Sequence, residues 1–186
     1  MAMFEFREDN LKQLVECAGK ALEAEEQYLM NCVSKPGAKT TPRGLMQNKN
    51  ERYYQFVIWR GLLSDPAFSC RSMTERYGHD LAFYEGKSER PVAFAEIKGW
   101  WSDSGETEIP GIKRDLEKLE MRKVPGVMLI VTCSYKGNSK ANLQWLAGKL
   151  GIDQHRFVTR RFDTAYPGES PMEFEVIGFM VDEGDE

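Results

Sequence analysis

Leu11, Leu14, Val15, Ala18, Leu22 and Leu29 recur at three- and four-residue steps, which predicts one amphipathic helix over residues 9–32. A Pro-, Gly- and Thr-containing stretch, 34–47, reads as a connector. A second helix is expected to open at Asn48 and carry Tyr54, Val57, Ile58 and Leu62 before Asp65-Pro66 ends it. Beyond it the stretches 67–77, 78–84 and 91–100 look like strands, with the turn-rich EGKSER joining the last two. A polar, glycine-containing loop expected to be mobile covers 102–111. Ile112, Leu116 and Leu119 mark a helix over 111–123, and the unbroken apolar run VMLIVTC (127–133) fits a strand buried on both faces. Ser139 can cap a helix through Leu143, Leu146, Ala147 and Leu150 that stops at Gly151. Strands at 156–162 and 173–181 complete the chain. The expected fold is α/β: a mixed sheet flanked by helices, antiparallel on one side and parallel on the other.

Within that frame one strand is anomalous. The segment PVAFAEIKGWW, Pro91 to Trp101, is mostly apolar yet carries Glu96 and Lys98. Strand side chains alternate with period two, so the two charges project from one face. If strands 79–84 and 91–100 form a hairpin whose loop is centred near residue 88 or 89, Asp80 lies opposite 96 or 98 and on that same face. Burying such charges is costly unless they pair or bind a metal. Two carboxylates suit a hard cation such as Mg2+, with the lysine neutralising part of the cluster and holding a water. Plainer accounts stand beside this one: Glu96 and Lys98 as an exposed ion pair, and Asp80 as a strand-opening residue bonded to nearby backbone. Glu85-Gly86-Lys87 has the same spacing but falls in the hairpin turn, where charges are solvated.

Asp80 in HDLAFY and Glu96-Ile97-Lys98 in FAEIKGW together resemble the PD-(D/E)xK nuclease superfamily, the restriction-endonuclease-like fold. The order of elements over 48–162 is similar too: a helix, a hairpin bearing the acids, then helix, buried strand, helix. The resemblance implies Mg2+ or Mn2+ held by Asp80, Glu96 and the carbonyl of Ile97, with Lys98 positioning the attacking water. It also implies a glutamate on the preceding helix, where Glu51 stands. His79 departs from the pattern, occupying a position that is usually proline. Glu51 has an ordinary alternative as the partner of Asn48 in a capping box. Lys113 and Asp115 belong to the next helix, where they either face the site or take part in i,i+4 pairing such as Lys113–Glu117.

Charge distribution sharpens the expected partner. Net charge is -4. Residues 1–26 and 169–186 each hold seven acids, whereas 27–168 carry 22 basic and 15 acidic residues, a balance of +7. Lys35, Lys39, Arg43 and Lys49 lie in 34–50 with no acid among them, so this segment is either a solvated basic loop or a phosphate-contacting arm. With Arg52 they are the expected nucleic-acid contacts, joined by Trp100 and Trp101 as stacking residues, or else as core. Four cysteines show no CxxC pair, and two histidines add no zinc-ligand spacing, so reduced thiols are expected. No apolar run approaches a membrane span, and the acidic start MAMFEFREDN lacks the order of a signal peptide. The sequence thus predicts a single cytosolic domain without a membrane partner. It has an N-terminal helical segment (1–33), a basic connector (34–47), a nuclease-like core (48–162) and a C-terminal strand with an acidic tail (163–186). The expected activity is Mg2+-dependent hydrolysis of phosphodiester bonds in DNA, with a homodimer suggested by the needs of double-strand cleavage. The competing expectations are an inactive module of the same fold that binds nucleic acid or protein, and an unrelated α/β interaction protein with an acidic tail.

Overall fold

The structure, a computed structural model, describes residues 6–33, 43–102, 104–166 and 168–181. Lys35 and Lys39 of the expected basic arm lie outside them, as does most of the acidic tail. The elements run α1 (Glu8–Val33), α2 (Glu51–Ser64), β1 (Arg71–Arg76), β2 (His79–Tyr84), β3 (Ala93–Trp100), α3 (Ile109–Glu120), β4 (Gly126–Tyr135), α4 (Ser139–Leu150), β5 (Val158–Thr164) and β6 (Met172–Val181). All six strands join one sheet in the order β1-β2-β3-β4-β6-β5. This is an α/β fold, a mixed sheet flanked by helices with a helix first. Among the described residues no helix is long and apolar enough to cross a membrane.

The sheet departs from expectation on one side. Only β3 and β4 run parallel; β6 lies antiparallel between β4 and β5. The apolar residues Phe174, Val176, Ile177 and Phe179 make β6 a strand that must be covered on both faces. β5, with Arg160 and Arg161, is left to the edge, where charge is tolerated and discourages further pairing.

Alternation along the strands sorts the core into two layers. Leu81, Phe83, Ala95, Ile97, Val127, Leu129 and Val131 pack against α1 and α2. Ala82, Tyr84, Phe94, Trp100, Met128 and Ile130 pack with Ile109, Ile112 and Leu119 of α3 and Leu143 and Leu146 of α4. The N-terminal helix therefore covers the β5–β6 half of one face, with Val15 seated against Gly178.

Two caps differ from expectation. Asn50, not Asn48, caps α2: its side chain accepts from Arg52 N at 3.0 Å, while Asn48 Oδ1 accepts from Asn50 N. This frees Glu51 from a capping role. Helix α4 begins after Asn138, so Ser139 lies inside it, and Gly151 ends it in the left-handed conformation expected of it. The segment before α3 is tied down: Glu108 accepts from Trp101 N and Ser102 N, and Gly105 N donates to Ser102 Oγ.

Helix α3 sits close on the sheet because Gly126 lacks a side chain. A Cβ there would lie 2.8 Å from Cβ of Leu119 and 3.3 Å from Cβ of Val181. Gly126→Ala is expected to lower stability by about 1–3 kcal/mol through overpacking, measured by urea denaturation; an unchanged midpoint would contradict this packing.

Candidate functional site

The hairpin register pairs Leu81 with Ala95, Ala82 with Phe94 and Phe83 with Ala93. Leu81 and Ala95 are the last pair of this ladder, and the same register carried one step further would set Asp80 opposite Glu96. Beyond this point β3 continues beside β4 alone, so its other edge is open. Asp80 fills the first gap: its Oδ2 accepts from Ile97 N at 2.8 Å, as a partner strand's carbonyl would. The N–H and C=O of one strand residue point to the same edge. The Ile97 carbonyl therefore also faces this opening, beside Asp80.

Both helical layers reach the open edge. From α2, Gln55 Nε2 donates to the Asp80 carbonyl at 2.8 Å and fixes the start of β2. Glu51, one turn earlier on α2, accepts from Lys98 Nζ at 3.1 Å. From α3, Asp115 meets the same ammonium at 3.0 Å. Lys118, one turn further along α3, reaches Glu96 Oε1 at 2.5 Å, and His79 Nδ1 meets that oxygen at 2.6 Å. Glu96 is only 3% exposed, which rules out a solvated surface pair with Lys98.

Electrostatics follow from this crowding. Burial pushes the Asp80 carboxyl up to about 6; the Ile97 hydrogen bond opposes this and the nearby Glu96 reinforces it. Burial works against the Lys98 ammonium, but the Asp115 and Glu51 carboxylates outweigh it and hold the group above its ordinary value. Lys98 is therefore a fixed cation, suited to orienting a water or offsetting negative charge and unsuited to taking up a proton.

Among the described residues no three His, Cys, Asp or Glu side chains form a preformed metal cage. Mg2+ does not require one; it is usually bound by one or two carboxylates with waters and substrate phosphates. Among the described residues Asp80 is engaged through Oδ2 and Glu96 through Oε1, so each has a second oxygen to offer. With the Ile97 carbonyl these are hard oxygen donors that fit such an ion, and Glu51 is held at the rim by Lys98.

The remaining expected residues divide. Lys49 and Arg52 are exposed and, with Asn48, Asn50, Glu51 and Trp101, line a cavity of about 650 Å3. A second cavity, of about 590 Å3, shares Lys49 and Trp101 and continues past Arg43 toward Asn138 and Asn142. Arg43 pairs with Glu169 across it at 2.5 Å. Trp101 packs on Tyr54 with ring centroids 4.8 Å apart and borders both cavities. Trp100, at 6% exposure and packed on Trp145, belongs to the core and also borders the second cavity. Gln55, Lys118 and Arg122 carry no motif that marks them in the sequence, and Asp115, which the sequence allows either to face the site or to pair along its helix, faces Lys98. The available signal is the spacing of Asp115 and Lys118, one turn apart beside the apolar stripe of α3, with Arg122 just after the helix ends.

Asp80 carries a stability penalty whose sign is set by its raised value. The folded protein keeps this carboxyl protonated to about pH 6, whereas an unfolded chain releases the proton near pH 4. Without metal, stability should fall as pH rises between those values and stay lower above them. Asp80→Asn removes the penalty while keeping an acceptor for Ile97 N. In EDTA it is expected to gain about 1–3 kcal/mol at pH 8 and nothing below about pH 4, by urea denaturation. A loss of stability at pH 8, or a gain independent of pH, would contradict this environment for Asp80.

No protein-family model, characterised protein or solved structure gives a significant match to the chain, so its function has to be read from these residues.

Proposed function

We propose that the protein is a metal-dependent nuclease of the restriction-endonuclease-like kind, hydrolysing phosphodiester bonds in DNA with Mg2+ or Mn2+. The observation that carries this is the meeting of Asp80, Glu96 and Lys98 at the one point where β3 loses its neighbour. The element order α2-β1-β2-β3-α3-β4, with an antiparallel meander and β4 parallel to β3, supports it. In this reading Asp80, Glu96 and the Ile97 carbonyl hold the cation, with Glu51 joining when Lys98 releases it.

When bound, the cation supplies Lewis acidity, lowering the pKa of a water and drawing charge from the scissile phosphate. Lys98 orients that water and stabilises negative charge developing at phosphorus, a role its two carboxylate partners favour by keeping it an ammonium. Gln55 keeps Asp80 at the mouth of the opening. Lys49 and Arg52 grip phosphates flanking the cleaved bond, and the paired cavities give the strand a path along Trp101 toward Arg43.

A second reading is favoured by the completeness of the internal pairing. Lys98 is satisfied by Glu51 and Asp115, and Glu96 by His79 and Lys118, so the cluster can be held as a structural ion network in a binding module without catalysis. Cleavage separates the two. Purified protein is expected to cut DNA in Mg2+ or Mn2+ and not in EDTA, with Lys98→Ala and Asp80→Asn each slowing the rate by about 100- to 1000-fold. Intact single-stranded, double-stranded and structured DNA and RNA in both metals would leave the module as the function.

A further inference from the structure

The histidine that replaces the usual proline is among the most enclosed polar groups in the molecule, at 1% exposure. Its ring stacks on Phe94 with centroids 4.4 Å apart and planes 26° from parallel. Arg122, just beyond α3, donates from Nε to His79 Nε2 at 2.9 Å and from Nη2 to the Tyr77 carbonyl at 2.9 Å. A guanidinium can only donate, so Nε2 must accept. The ring proton is thereby placed on Nδ1, from which it is donated to Glu96 Oε1 at 2.6 Å. Lys118 approaches the same oxygen. Both contacts thus fall on one oxygen, which pins the carboxylate through Oε1 and leaves Oε2 outside these two contacts.

We infer that His79 is a positioning residue that fixes the Glu96 carboxylate for a divalent cation, with Arg122 setting its tautomer and Phe94 its ring plane. The inference rests on the metal-binding reading of Glu96 and extends it to a relay running from the end of α3 through His79 to the site. Outer partners of this sort hold a ligating group in place before the ion arrives, and so strengthen its binding. A histidine serving only to fill the core would tolerate any polar replacement that folds.

Asparagine and glutamine separate these roles. An Asn amide can occupy the Nδ1 position and donate to Glu96, whereas a Gln amide reaches the Nε2 position and serves Arg122 instead. Mn2+ titrated calorimetrically into metal-free protein, with no substrate, reads the difference. His79→Gln is expected to weaken Mn2+ binding by about 10- to 100-fold and His79→Asn to stay within about threefold of wild type. Equal unfolding midpoints would exclude loss of fold as the cause. Asp80→Asn, as control, should abolish binding. If His79→Gln binds Mn2+ as wild type does while Asp80→Asn does not, His79 has no positioning role and the metal site still stands. If wild type binds no Mn2+, the metal reading fails and takes the inference with it. Independently of metal, a long-range proton–nitrogen spectrum, simple in a chain with two histidines, should show the Nδ1–H tautomer; the Nε2–H tautomer would overturn the inference.

Discussion

An apolar strand with two charges on one face forces the arrangement of everything around it. Glu96 and Lys98 project into a layer otherwise built from Phe94, Trp100, Met128 and Ile130. Desolvating either charge alone would cost several kcal/mol. The fold meets this constraint by ending the β2–β3 ladder at Leu81 and Ala95 and bringing counter-charges from both helical layers to the gap. Glu51 arrives from one face, and Asp115 and Lys118 from the other, while His79 closes the cluster from β2.

Pairing of this kind is a poor source of stability. Ion pairs with this much burial recover little more than the desolvation they require, and apolar replacements of similar volume often do as well. Asp80 adds a further cost, since its carboxyl is held well above its ordinary value. A group of charges that gains the fold so little is most simply explained by a ligand that the charges serve. A carboxyl perturbed like that of Asp80 is a mark of functional sites, and the cavity that Glu51 shares with Lys49 and Arg52 carries the positive charge that suits a phosphate backbone.

Much of this was legible from residue pattern alone, and the limits have physical causes. Among the described residues, periodicity or an unbroken apolar run located helices α1–α4 and strands β1–β6, because each buries a stripe, one face or both faces. Asp80 falls on the face of Glu96 and Lys98 if the hairpin loop is centred near residue 88 or 89; a register shifted by one reverses its face, and the observed pairing of Leu81 with Ala95 has the first parity. The order of β5 and β6 was not legible: sequence order does not say which of two later strands pairs with β4, and only the stronger apolar run of β6 hints at the central place. Asn48 and Asn50 are both competent caps two residues apart, so the role of Glu51 stayed open until the true cap was seen. The inward placement of Asp115 and Lys118 on α3, and of Arg122 just beyond it, was illegible for a different reason. A polar stripe facing a charged strand has the same spacing as one facing water. His79 looked like a departure from a motif, and its part emerged only from two hydrogen bonds that fix its proton.

In the function proposed above, these charges are gathered to hold one divalent ion at the open edge of β3. Crystals grown with Mn2+ test it most directly, through the anomalous difference map collected near the manganese absorption edge. A bound ion gives a peak at about 2.0–2.3 Å from carboxylate oxygens of Asp80 and Glu96 and from the Ile97 carbonyl, distances expected of a hard cation on oxygen. A map without that peak, in which Lys118 still holds Glu96 and Lys98 still joins Glu51 to Asp115 at saturating Mn2+, would contradict it.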